Sequence, residues 1–208
     1  MNTGYPDGLT LDHYEEDRLA PGEQSGVAAG TESFDEIFHR YQSMVFNLTL
    51  RILGDREEAL DVSQEVFFAV YCKLQRFRGD SALKTWIYRI AINCATNRSR
   101  WWNRLRRRGT VSLDEHLNRD EGRTFSESLE SGGRTPEQAL MLQETRGCIQ
   151  RSLLSLPVQQ RVVIIMREIE GLSYEEIAEL LQISLGTVKS RIARGREELK
   201  RRLNGALA

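Results

Sequence analysis

Cysteine is scarce: Cys72, Cys94 and Cys148 stand far apart, with no CxxC pair among them. Such scattered thiols fit buried side chains better than a disulfide framework or a zinc site. His13, His39 and His116 are equally dispersed, so no metal is expected and no cofactor is implied. No apolar run approaches the roughly 18 residues that a membrane-crossing helix needs, which excludes direct membrane insertion. The N-terminus lacks the basic-then-apolar layout of a signal peptide, and that absence points to the cytoplasm. Neither a convergent carboxylate cluster nor an activated nucleophile stands out. An enzyme acting on a small-molecule substrate is therefore not expected.

What the chain does have is concentrated positive charge. The formal net charge is only −1, yet the stretch RSRWWNRLRRR (98–108) holds six arginines and no acid. Residues 187–202 hold seven Lys or Arg against two Glu, and GTVKSRIARGR (186–196) has four basic side chains and no acid. A solvated helix face would interleave Glu with Lys and Arg. Two separated basic patches on a nearly neutral chain fit two contacts with one polyanion.

Residues 1–32 show no sustained periodicity and read as a flexible tail. From Ser33, Phe34, Ile37, Phe38, Tyr41, Val45, Leu48 and Ile52 recur three or four apart, as on one helix face. Gly54 and Asp55 end that helix and start the next, whose stripe is Val62, Val66, Val70, Leu74 and Phe77, widened by Phe67 and Tyr71. The turn RGDS precedes a third helix with Leu83, Trp86, Ile87, Ile90, Ala91 and Cys94 inward. Residues 33–105 thus form one compact helical domain. Residues 106–136 lose the periodicity, and within them 109–136 is glycine-rich with six acids against three arginines, which suits an acidic interdomain linker. Pro136 is well placed to open a helix carrying Ala139, Leu140, Leu142, Ile149, Leu153 and Leu156. The fold class is all-α: two small helical domains joined by a flexible linker.

The second domain, 137–204, ends in a recognisable layout. Ser173 and Glu176 form a capping box at the start of a short helix with Ile177, Ala178, Leu180 and Leu181 on its buried side. QIS makes a tight turn, and Ser184 can cap a longer helix running to about Leu203. There Val188, Ile192 and Leu199 face inward, leaving Thr187, Lys189, Ser190, Arg191, Arg194 and Arg196 outside. This is the helix-turn-helix arrangement, whose second helix enters the major groove. Arginine can donate two bonds to guanine there, while other cations hold phosphates.

On the third helix Thr85, Arg89, Asn93, Thr96, Asn97 and Arg100 line up opposite the apolar stripe. Asn is a poor mid-helix residue, and Asn beside Arg and the aromatics Trp86 and Tyr88 suits capture of unstacked bases. An ordinary exposed face with Trp86 in the core is the competing explanation of the same residues.

The stretches DVSQEVFFAVYCKLQRFRGDSALKTWIYRIAIN and LPVQQRVVIIMREIEGLSYEEIAELLQISLGTVKSRIARGREEL, in this order and separation, resemble the extracytoplasmic-function sigma factors, the small members of the bacterial sigma-70 family. The resemblance implies a transcription initiation factor that binds core RNA polymerase and directs it to the −10 and −35 elements of promoter DNA. It implies that Asp61, Gln64, Glu65, Phe68 and Leu74 contact polymerase. Trp86, Arg89, Asn93, Asn97 and Arg100 would bind the −10 element, with Asn93 holding a flipped base. Thr187, Lys189, Ser190, Arg191, Arg194 and Arg196 would read the −35 element. It further implies an anti-sigma factor as partner, and a linker whose acids, such as Glu127 and Glu130, thread the polymerase channels. Trp101 and Trp102 have no clear family counterpart. A regulator acting without polymerase remains the alternative.

Overall fold

A computed structural model describes residues 33–75, 77, 82–107 and 136–206. The expected tail, the linker segment 108–135 with Glu127 and Glu130, and the RGDS turn lie outside these residues. Among those described, every regular element is helical: α1 (Phe34–Leu53), α2 (Arg56–Leu74), α3 (Leu83–Arg107), α4 (Pro136–Leu154), α5 (Val158–Ile164), a π-helical turn (Ile165–Ile169), α6 (Tyr174–Leu181) and α7 (Leu185–Ala206). None of them is long and apolar enough to cross a membrane.

The chain starts and stops its helices with local chemistry. Ser33 Oγ accepts from Glu36 N–H at 3.3 Å while Ser33 N–H donates to the Glu36 carboxylate at 2.8 Å, satisfying two orphan donors of α1. Gly54 ends α1 in the left-handed region at φ 79°, with its N–H bonded to Leu50 O at 2.7 Å. A Cβ there would collide with the Leu154 side chain, so glycine is required both for the turn and for the approach of α4. Asp55 then caps α2 by accepting from Glu58 N–H at 2.9 Å.

The first three helices bury Ile37, Val45, Leu48, Ile52, Val62, Val66, Val70, Ile87, Ala91 and Ala95 between them. Buried Thr49 stitches α1 to α2 by hydrogen bonds to Ala59 O at 3.2 Å and Ser63 Oγ at 3.1 Å. The second module packs α5, the π turn, α6 and α7 around Val162, Ile165, Met166, Ile177, Leu180, Val188 and Ile192. Gly195 lets α7 lie close on α5, since a Cβ there would meet Ile164 Cγ1 at 2.8 Å.

The two modules share one continuous core. The last-turn carbonyls of α1, which carry the negative end of its dipole, are capped from the second module. Gln150 Nε2 donates to Leu50 O at 3.1 Å, and the Arg161 guanidinium donates to Ile52 O. The π turn, closed by Glu170 N–H to Ile165 O at 3.1 Å, turns Glu170 toward α1 and α3. There its carboxylate accepts from Arg51 at 2.8 Å and from the Tyr88 hydroxyl at 2.5 Å. Burial, then the bond to Glu170, pushes the Tyr88 pKa well above the ordinary tyrosine value, so the hydroxyl remains a donor at neutral pH.

Three apolar positions differ from the periodicity. Tyr71, expected to widen the α2 stripe, is 63% exposed and meets Phe34 edge-on at 5.2 Å. Leu140 and Ile149, expected inside, are exposed, because the described residues place no element over that side of α4. Only Leu153 and Leu156, nearest the second core, are buried as the pattern suggested.

Candidate nucleic-acid interface

α6 and α7 form the helix-turn-helix. Ser173 and Glu176 close the expected capping box at 2.7 and 3.1 Å. Gln182 takes the left-handed conformation at φ 51° to make the turn, and Ser184 Oγ accepts from Thr187 N–H at 3.2 Å. Val188 and Ile192 are buried, which turns Lys189, Ser190, Arg194 and Arg196 out to solvent. Lys189 and Arg194 have no hydrogen-bond or ion-pair partner among the described residues. The other two arginines are engaged: Arg191 donates to Gln159 at 3.0 Å, and Arg196 donates to Glu168 at 2.7 and 2.9 Å. Thr187 is half-buried, its hydroxyl paired with Ser184 at 2.8 Å.

On α3, burial of Ile87, Ala91, Cys94 and Ala95 leaves Asn93, Asn97 and Arg100 exposed along one line, with Arg89 half-buried at its start. Trp86 is shared between this face and the core: it is partly buried, with its ring tilted against Phe77 at 4.9 Å. Tyr88, also expected to receive bases, is instead buried and bonded to Glu170. Trp101 and Trp102 meet edge-on at 4.8 Å farther along the same helix.

The third surface is on α2. Asp61, Gln64 and Phe68 are exposed, Phe68 to 60%, whereas Leu74 is half-buried against the core. Exposed Leu60 and Tyr71 extend the surface, at helical spacing from Gln64 and Phe68. Glu65 sits at its edge and is bound by Arg98.

Comparison with known proteins matches residues 37–109 to sigma-70 region 2 and residues 146–199 to sigma-70 region 4. The chain is 38% identical to the RNA polymerase sigma-H factor of Pseudomonas aeruginosa over 84% of its own length and 88% of that protein. It is 36% identical to the ECF RNA polymerase sigma factor SigW of Bacillus subtilis, over 83% and 89% of the two chains. The chain belongs to the extracytoplasmic-function sigma factors. Sigma-E of Escherichia coli is similar as well, at 38% identity over 81% of this sigma factor and 85% of that one. The fold is shared with RpoE of Bartonella quintana, solved with the anti-sigma factor NepR, at TM-score 0.54 and 21% identity, over 82% of this sigma factor and 96% of that chain. It is also shared with CnrH, solved with the cytosolic domain of CnrY, at TM-score 0.53 and 23% identity, over 83% and 88%.

In this sigma factor the region 2 match spans α1 to α3, and the region 4 match carries the helix-turn-helix. The sequence places Lys189, Arg191, Arg194 and Arg196 alike on the outer face and hides that Glu168 and Gln159 compete for Arg196 and Arg191. The hydrogen bond to Glu168 raises the Arg196 pKa. An exposed pair of this kind contributes little stability. Glu168→Gln is expected to tighten duplex DNA binding about two- to fivefold at low salt, measured by fluorescence anisotropy. Unchanged affinity would mean that Arg196 does not reach the DNA.

Proposed function

We propose that the chain binds core RNA polymerase through the exposed face of α2 and carries α3 to the −10 element and α7 to the −35 element. The observation supporting this reading is the pair of exposed cationic helix faces, one on each module, with the polar and aromatic surface of Leu60, Asp61, Gln64, Phe68 and Tyr71 beside the first. Asn93 and Asn97 offer amides to bases leaving the stack. Lys189, Ser190 and Arg194 face the groove, with Arg191 and Arg196 recruited from their acceptors. Residues 33–105 serve as region 2 and residues 137–204 as region 4.

The two elements lie 25 positions apart, about 85 Å along the duplex at 3.4 Å per base pair. α3 is only about 37 Å long at 1.5 Å per residue, and Tyr88 on it touches Glu170 of the second module. Reaching both elements therefore requires the modules to part. The segment between Arg107 and Pro136 could extend to roughly 90 Å, which permits it. On polymerase the two weak contacts act as one tight one through effective concentration.

The chain contributes binding and positioning, with no catalytic group of its own, and works in the cytoplasm where polymerase and DNA are. An anti-sigma factor is its expected inhibitor, in keeping with the complexes solved for RpoE and CnrH. The docking surface is tested with Phe68→Ala. Since Phe68 is mostly exposed, melting should not change, while affinity for core polymerase should fall about tenfold in a competition assay. Unaltered affinity would remove α2 from the interface.

A further inference from the structure

The α2 and α3 surfaces are tied together by one side chain that neither surface uses. Arg98 follows Asn97 but points to the other flank of α3, where its guanidinium donates to Glu58 Oε2 at 2.6 Å and to Glu65 Oε1. Glu58 and Glu65 are seven residues apart, two turns along one face of α2, so the fork spans about 10 Å of that helix. The Arg98 side chain is 20% exposed and that of Glu58 is 18% exposed, so water competes weakly for that arm of the fork, while Glu65 at the other arm is 41% exposed. Burial alone would lower the Arg98 pKa, but the bond to Glu58 and the charges of Glu65 and Glu58 outweigh it and hold the group charged.

A planar guanidinium satisfied by two carboxylates admits one rotation and one height of α3 against α2. The acceptors belong to the stretch of α2 that carries Asp61, Gln64 and Phe68, and the backbone of Glu58 is held in the first turn by its N–H bond to Asp55. From this juxtaposition we infer that Arg98 is a positioning residue, which holds Asn93 and Asn97 at the angle needed to receive the −10 strand when α2 is docked on polymerase. The inference rests on the proposed roles of α2 and α3.

The test uses holoenzyme assembled from core polymerase and the full chain. Its probe is a labelled single strand bearing the −10 sequence of a promoter that the wild-type holoenzyme transcribes. Arg98→Gln and the milder Arg98→Lys are expected to bind core polymerase within about twofold of wild type yet lose about tenfold in affinity for the probe. The exchange Arg98→Glu with Glu58→Arg should recover most of the loss. In an Asn93→Ala, Asn97→Ala background, Arg98→Gln should add little further loss, because a residue acting through those amides has nothing left to position. Equal loss of polymerase and probe affinity would mark Arg98 as merely structural and overturn the inference. Wild-type probe binding by both Arg98 variants, with Asn93→Ala impaired, would overturn the positioning role alone. Wild-type binding by Asn93→Ala as well would overturn the −10 assignment with it.

Discussion

Arg161→Met is expected to lower the unfolding free energy by about 3–5 kcal/mol and the melting temperature by roughly 10 °C. The side chain is 7% exposed and sits where α1, α4 and α5 meet. Its guanidinium donates to Leu153 O at 3.0 Å, Leu154 O at 2.6 Å, Leu156 O at 3.0 Å and Ile52 O. All four acceptors lie in or just beyond a helix's last turn, where backbone carbonyls have no intrahelical donor. Methionine preserves the packing of the aliphatic stem and removes only the donors. Leu153 O keeps its bond from Leu156 N–H at 3.0 Å, while the Ile52, Leu154 and Leu156 carbonyls lose the guanidinium. Because Ile52 belongs to the first module, the same substitution should loosen the contact between modules, visible as faster hydrogen exchange in α4 and the end of α1. Calorimetry with a loss below about 1 kcal/mol would mean that water replaces the guanidinium at no great cost.

Asn93→Ala is expected to slow open-complex formation roughly tenfold to a hundredfold while leaving closed complexes intact. Asn93 is exposed in mid-helix with no part in the core. Alanine is the better helix former by about half a kcal/mol, so the folded chain should gain slightly in stability. Loss of opening together with an unimpaired melting temperature separates a binding role from a structural one. The amide can donate and accept at once, as a base edge requires, and its partner repays the few kcal/mol that unstacking costs. Permanganate reactivity of thymines in the −10 element reads the effect directly, and wild-type reactivity would reject the assignment.

Much of this was legible in the residues, because helix ends are written locally. Gly54 with Asp55 and Ser173 with Glu176 each act over three or four positions, and both sites form as the sequence suggests. The outward face of α7 follows from burial of Val188 and Ile192 alone. Faces with more than one use were harder to read. Tyr71 fits the α2 stripe by period but lies on the exposed face of α2 with Phe68, while Leu74, expected on the polymerase contact, turns toward the core. Periodicity reports an apolar face without saying what covers it.

Long-range polar contacts left little trace in the pattern. Arg98 and Glu65 are 33 positions apart, and Arg161 and Ile52 are 109 apart. The carbonyls that bind Arg161 carry no residue identity at all. An arginine among apolar neighbours, as in QQRVVII, was the one available hint that a buried cation had found acceptors.

Run-off transcription with purified core polymerase is the most direct test of the whole account. Core polymerase should yield discrete transcripts from genomic fragments when the chain is added and none of them without it, with start sites sharing two upstream elements at fixed spacing. A chain that binds oligonucleotides through α7 yet neither associates with core polymerase nor produces such transcripts would contradict it.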